Sequence, residues 1–123
     1  MEVKDGPIEP EFPITLGGKE YKLAYPLPAI WALEDISGFD ILSGDITLEF
    51  WNKTKTSRRT KFVAQLCWAG LQPNYPGLKF SDVAALISLK NFAYVEAIVS
   101  RSFTAWMNSE KKEETERPTQ GNG

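Results

Sequence analysis

The first third of the chain alternates between apolar and polar positions and then changes to a helical spacing. Phe12, Ile14 and Leu16 precede Gly17-Gly18, and the alternation resumes at Tyr21. A period of two is typical of half-buried strands, and a Gly-Gly pair supplies the positive φ angles of a tight turn. The pattern therefore predicts a β-hairpin that follows an irregular, proline-broken arm at residues 1–11.

Four later segments have apolar residues at intervals of three and four, which predicts helices. Pro28 suits the first turn of the first helix, Gly38 suits its C-cap, and Ile30, Leu33 and Ile36, with Leu27 just ahead of them, are expected to form its apolar stripe. The second helix is predicted for residues 57–69 and is expected to end at Gly70, with one apolar face formed by Phe62, Val63, Leu66, Cys67 and Ala69. The third opens at Ser81-Asp82, with Val83, Leu86, Ile87 and Leu89 as its apolar set. The fourth opens at Phe92 and continues its apolar stripe through Val95, Val99, Phe103 and Trp106.

These elements predict an α+β fold that is mostly α, with an N-terminal β-hairpin followed by about four helices. The expected single domain covers residues 12–109, and a disordered C-terminal tail covers residues 110–123. The tail prediction depends on composition, because apolar residues stop after Met107 and charged, Pro, Gly and Asn residues follow.

Composition narrows the class of protein. The chain has 123 residues and a formal net charge of −2, so no overall positive field recruits nucleic acid or an anionic membrane. Cys67 is the single cysteine and cannot form an intramolecular disulfide, which fits a reducing cytosol. We find no signal peptide and no apolar run near the ~20 residues that a membrane helix needs. The sequence therefore predicts a soluble intracellular domain.

Catalytic and metal-binding patterns are missing from the sequence. The chain has no histidine, the commonest general base and metal ligand. Glu34 and Asp35 are adjacent on a predicted helix, so their carboxylates point about 100° apart and do not converge. Gly17-Gly18-Lys19 lacks the spacing and the following helix of a phosphate loop. We therefore expect no enzyme, no cofactor, no metal and no small-molecule substrate.

A basic run is the first candidate binding feature. Residues 53–61 contain five cations and no acid, and these are Lys53, Lys55, Arg58, Arg59 and Lys61. Cations at a helix N-terminus oppose its dipole, by about 0.3–1 kcal/mol each at low salt, which hints at a use. The run is compatible with a solvated helix face, a protein-docking patch or a nucleic-acid patch. The residues before it are acidic, so identical subunits could stack head to tail.

Three aromatic residues are the second candidate binding feature. Trp68 lies roughly opposite the apolar stripe of its helix, so either a second layer covers it or it belongs to an interface. Phe103 and Trp106 continue the stripe of the last helix, where they either complete the core or offer a knob to a partner. We take Trp68, Phe103, Trp106 and the five cations as candidate partner-binding residues.

The order of motifs resembles a known family. ITLGGKEYKLAYPLPAIWALEDISG at residues 14–38, LCWAGL at residues 66–71, a Pro-containing loop and a helical second half are similar to the tail assembly chaperones of long-tailed bacteriophages and prophages. The resemblance covers residues 12–107. It implies a non-enzymatic protein of the bacterial host cytoplasm that binds and solubilises the tape-measure protein, helps recruit tail-tube subunits, self-associates and is absent from the mature virion.

Two other functions remain open. The chain could be a structural virion protein, such as a head–tail connector or minor tail protein, which would be present in finished particles. It could also be a nucleic-acid-associated phage regulator acting through the basic run, with binding that falls steeply as salt rises. The resemblance supplies no catalytic residue and no residue-level binding motif to carry over.

Overall fold

The structure is a computed structural model that describes residues 12–42 and 56–122, with side chains for residues 12–42 and 58–108. The predicted N-terminal arm, Lys53 and Lys55 lie outside the described residues. The described elements are β1 (Phe12–Leu16), β2 (Lys19–Leu23), α1 (Leu27–Ser37), α2 (Thr56–Leu71), α3 (Phe80–Ala84) and α4 (Phe92–Asn122). The predicted α+β architecture, a hairpin followed by helices, is confirmed.

The hairpin forms where the alternation predicts it. Strands β1 and β2 pair antiparallel, with Leu16 opposite Lys19. Gly17 and Gly18 have φ angles of 59° and 79°, and two positive φ angles define the type I′ turn that matches the twist of paired strands. Ile14, Leu16 and Leu23 are buried, so one face of the hairpin packs against the helices.

Helix α2 is the centre of the fold, since it packs against α1, α3, α4 and β2. Its buried face is the predicted one, with the members Phe62, Val63, Leu66, Cys67 and Ala69. The helix continues through Gly70 to Leu71, beyond the predicted end at Ala69. Leu71 is fully buried, so a last turn that includes Gly70 places one more apolar side chain in the core.

Gly70 is where the hairpin joins α2. A Cβ atom on Gly70 would lie 2.5 Å from Cζ of Tyr25 and 2.9 Å from Cδ2 of Leu23. The Gly70 carbonyl accepts a hydrogen bond from the backbone N–H of Ala24 at 2.9 Å, and the Tyr25 hydroxyl donates to the Leu66 carbonyl at 2.8 Å. The missing side chain therefore lets the end of the hairpin approach the helix backbone.

Helix α1 has the predicted ends and a corrected buried face. Pro28 lies in its first turn, and Gly38 caps it with φ 81° while its N–H donates to the Glu34 carbonyl at 2.9 Å. The buried residues are Ala29, Ile30 and Leu33, whereas Leu27 is 46% exposed. Including Leu27 in the buried stripe was wrong, because at 3.6 residues per turn it lies more than a quarter turn from the centre of that stripe.

The α3–α4 connection corrects the predicted role of Leu89. Helix α3 ends at Ala84, so the helical spacing that would bury Leu89 does not continue. The Asn91 side chain closes the turn instead, since its Oδ1 accepts from the Ser88 N–H at 2.7 Å and its Nδ2 donates to the Leu86 carbonyl at 2.9 Å. Leu89 lies at the tip of this turn and is 95% exposed.

Helix α4 buries the stripe that its spacing predicts. Val95, Val99 and Trp106 are buried, and Ser102 between them donates its hydroxyl to the Ile98 carbonyl at 2.7 Å. The helix backbone extends to Asn122, and the side chains of the predicted disordered tail at 110–123 lie outside the described residues. None of the helices described here is both long enough and apolar enough to cross a membrane.

Adding one methyl group at Gly70 is expected to destabilise the fold. Gly70→Ala should lower the free energy of unfolding by about 1–3 kcal/mol, because the ring of Tyr25 must move away from α2. Urea unfolding followed by circular dichroism measures the change. Gly77→Ala is the control, since a Cβ there has no atom within 4 Å. Equal stability of the two variants would contradict the close packing at Gly70.

Stability is also expected to fall at alkaline pH. Burial raises the pKa of the Tyr25 phenol well above its ordinary value of 10.0, with the Cys67 charge as a second cause, and burial raises the pKa of the Cys67 thiol from 9.0 to about 12. Both groups bind protons more tightly when folded. Their contribution to the free energy of unfolding is therefore fully present below the ordinary pKa values of the two groups. It is lost as the pH rises above those values, by up to about 1.4 kcal/mol per pH unit for each group.

The test is to measure the free energy of unfolding at several pH values from about 8 to about 11. Tyr25→Phe should make the alkaline decline shallower, although it lowers stability at neutral pH by about 1 kcal/mol through loss of the bond to Leu66. A decline as steep in Tyr25→Phe as in the parent chain would show that Tyr25 does not contribute to it.

Candidate protein-binding surface

Two of the candidate contact residues lie in or against the core. Trp106 is 3% exposed. Phe103 is half-buried, and its ring meets that of Tyr25 edge to face, with centroids 5.5 Å apart. The sequence left two possibilities, core packing or a knob for a partner, and the structure supports core packing, because Trp106 is a member of the core and Phe103 packs against it. In this conformation Trp106 is not available to a partner.

Trp68 is covered by a second layer. Its ring is half-buried against the core, and its Nε1 donates to the Leu78 carbonyl at 3.1 Å. Gln72 donates to the same carbonyl at 2.9 Å. The loop between α2 and α3 therefore folds back over the outer face of α2, and the position of Trp68 opposite the main stripe is explained by this loop.

The three described cations of the basic run lie in the first half of α2. Arg58 is exposed, and its guanidinium lies 4.7 Å from the centre of the Phe39 ring. Arg59 is half-buried and forms an ion pair with Glu96 at 3.5 Å. Lys61 is exposed. The first turn of α2 contains no acid, so Arg58 and Arg59 lie where positive charge opposes the helix dipole, and the Arg59 charge is offset by its ion pair with Glu96.

A small cleft opens between α1 and α2, and we call it the α1–α2 cleft. Its volume is about 230 Å³ and its lining consists of Ile36, Ser37, Phe39, Arg58, Lys61, Phe62 and Gln65. The Phe39 and Phe62 rings meet edge to face at 5.5 Å. Gln65 is buried and donates to the Ile36 carbonyl at 3.2 Å, which fixes the end of α1 against α2. The result is an aromatic floor with two exposed cations at its edge.

A larger and more apolar concavity lies on the next face of α2, and we call it the α2–α3 groove. Its volume is about 470 Å³ and its lining consists of Thr60, Lys61, Ala64, Phe80, Ala84, Ile87, Ser88, Leu89 and Phe92. Lys61 lines this groove and the cleft. Leu89 projects at its rim beside exposed Lys90. Apolar walls with cations at the rim suit an apolar knob that has acidic neighbours.

Helix α1 carries an exposed apolar pair that was not predicted from the sequence. Leu27 is 46% and Trp31 54% exposed, and their spacing of four residues puts them on one face of the helix. Asp35 is exposed one turn further along. We call these three residues the α1 surface. The sequence does contain a signal for this surface, because Trp31 is apolar but lies outside the stripe of Ile30 and Leu33.

The described side chains at these features are mainly apolar or charged. The described residues contain no group of three acidic, cysteine or histidine side chains placed to hold a metal ion. Cys67 is fully buried, and burial raises its thiol pKa to about 12, so the thiol stays protonated at neutral pH. The cleft, the groove and the α1 surface combine apolar area with charge of one sign, which is what specific protein contacts use.

Comparisons of this chain with protein-family models, with curated proteins and with solved structures find no match.

Two tryptophans of similar chemistry provide a test of this placement. Trp68→Phe should lower the free energy of unfolding by about 1–2 kcal/mol, because it removes the bond to Leu78 and part of the packing under the loop. Trp31→Phe is the control and should change it by less than about 0.5 kcal/mol, because the ring is half exposed. Urea unfolding measures the loss of stability in each variant. A Trp31→Phe variant that is the more destabilised of the two would reverse the assignment.

Proposed function

We propose that this protein is a non-enzymatic tail assembly chaperone, which binds and solubilises the tape-measure protein of a long-tailed phage or prophage and helps recruit tail-tube subunits. The order of its motifs resembles that family, and the hairpin-plus-helices fold agrees with the resemblance. The observation that carries the proposal is the α1–α2 cleft, where exposed Arg58 and Lys61 border an aromatic floor.

The electrostatics of α2 support a binding role for these cations. Arg58 and Arg59 lie in the first turn of α2, where positive charge is unfavourable by about 0.3–1 kcal/mol each, and Arg59 is paired with Glu96. The helix dipole alone would favour an acid at position 58. A partner with acidic residues between apolar ones would use both the cations and the floor of Phe39 and Phe62.

The size of the cleft fits a contact that has to be reversible. A volume of about 230 Å³ accommodates one or two side chains of a partner helix. Each such contact is weak, but many copies along one extended partner would hold it through avidity. Weak single contacts also allow each copy to leave when the tail-tube subunits take its place.

The proposal includes association between copies of the chain and a location in the cytoplasm of the bacterial host. The protein would be absent from the mature virion, and no membrane or nucleic acid takes part.

The experiment is co-expression with the tape-measure protein encoded by the same phage, with the soluble fraction of that protein as the readout. The parent chain should raise this fraction, and Arg58→Glu should abolish most of the gain. Arg101→Glu is the matched control, because Arg101 is also exposed on a helix but lies outside the cleft. Arg58→Glu should change the free energy of unfolding by less than about 1 kcal/mol, since the relief at the helix dipole offsets the lost contact with Phe39.

Three outcomes would contradict the proposal. The first is an unchanged soluble fraction with the parent chain, and the second is equal activity of Arg58→Glu and Arg101→Glu. The third is recovery of the protein from purified finished particles, which would favour a structural virion protein. Binding to DNA or RNA that weakens steeply with salt would favour the regulator instead.

A further inference from the structure

The α1 surface is an exposed apolar feature in an acidic setting. Leu27 and Trp31 are each about half exposed, and Asp35 continues the same face. Residues 24–42 contain three acids, Glu34, Asp35 and Asp40, and no Lys or Arg. A large aromatic side chain at the surface, next to a second apolar residue and bordered by one sign of charge, marks an interaction site.

The α2–α3 groove is complementary to this surface in shape and charge. Its walls are formed by apolar side chains such as Ala64, Ile87 and Phe92, and Lys61 lines its edge. Exposed Lys90 lies beside the rim residue Leu89. Two acids with described side chains lie on the elements that form the groove: Asp82 on α3 accepts a hydrogen bond from the Lys79 N–H, and Glu96 on α4 is paired with Arg59. The groove therefore presents an apolar floor with net positive borders.

We propose that the α1 surface of one copy docks in the α2–α3 groove of a second copy. Leu27 at position i and Trp31 at position i+4 form the apolar knob, as in other helix-in-groove contacts. Asp35 then lies toward Lys61 and Lys90 of the neighbour. The proposal rests on the proposed function in that it names the surfaces of the subunit association, and it leaves Arg58 and the aromatic floor of the α1–α2 cleft open for the tape-measure protein.

The two surfaces cannot meet within one molecule. Helix α1 buries Ile30 and Leu33 toward the core and packs on α2, so Trp31 faces outward. The groove lies on the side of α2 where α3 packs, and α2 separates the two surfaces. A contact between two different patches leaves one free patch at each end. Repetition of this contact in one direction therefore gives an open chain or a ring.

A pair of complementary variants tests this arrangement. Trp31→Lys disables the knob and keeps the groove, whereas Ala64→Glu obstructs the groove with a carboxylate and keeps the knob. Sedimentation at low ionic strength should show assemblies larger than dimers for the parent chain and monomers for each variant alone. An equimolar mixture of the two variants should form dimers only, because one intact knob meets one intact groove and no further surface remains.

Control variants and salt complete the test. Ala97→Lys and Ala97→Glu place the same charges on an exposed position of α4, and they should assemble like the parent chain. Added salt should shift all assemblies toward monomers, since exposed charges are screened over a Debye length of about 10 Å at 0.1 M. A monomeric parent chain, or variants that do not pair when mixed, would overturn the proposal, as would a dimer formed by either variant alone.

Two further measurements separate this inference from its alternatives. A thermal midpoint for Trp31→Lys well below that of Ala97→Lys would mean that another segment of the same chain covers Trp31, which overturns the docking. The solubilisation assay separates the inference from the proposed function. Variants that solubilise the tape-measure protein while the mixture fails to pair overturn the subunit contact alone, and pairing without solubilisation overturns the chaperone function alone.

Discussion

The packing of Tyr25 against Gly70 is the interaction on which the rest of the structure depends. The ring occupies the space that any side chain at position 70 would take, and its hydroxyl reaches the carbonyl of Leu66. This contact fixes the hairpin on the last turns of α2. The same ring meets Phe103 edge to face, so α4 is positioned through Tyr25 as well. Helix α1 begins just after Tyr25, and its direction is set by the same anchor.

Helix α2 divides the surface of the protein into separate parts. One face is buried, the next carries the α1–α2 cleft, and a third carries the α2–α3 groove. Lys61 lies between the two concavities and lines both. The loop that covers Trp68 closes the remaining side. A single helix can therefore support two different contacts, because residues such as Phe62 and Ala64 point in different directions at 100° per residue.

The sequence predicted those parts of the fold that depend on local chemistry. Gly17-Gly18 required positive φ, Gly38 capped a helix, and the stripe from Val95 to Trp106 had one periodicity. Gly70 was misread as a helix end, because its reason is a long-range approach by Tyr25 that no local pattern encodes. Leu27 and Leu89 were misplaced because helical spacing was extended past the ends of the buried stripes. Among the candidate site residues, Arg58 and Lys61 were recognisable by their charge. The sequence could not show which tryptophan is exposed, and the structure exposes Trp31 while it covers Trp68 and Trp106.

The connections of the hairpin have a consequence for how the chain is made. A two-stranded hairpin is marginal by itself in water and needs a covering layer. Here the layer comes from distant sequence, since the N–H of Thr15 is bonded to the hydroxyl of Tyr94, 79 residues away. Synthesis proceeds at about 5–20 residues per second, so several seconds pass between synthesis of the two strands and synthesis of α4. The hairpin therefore leaves the ribosome before the helix that fixes it in place.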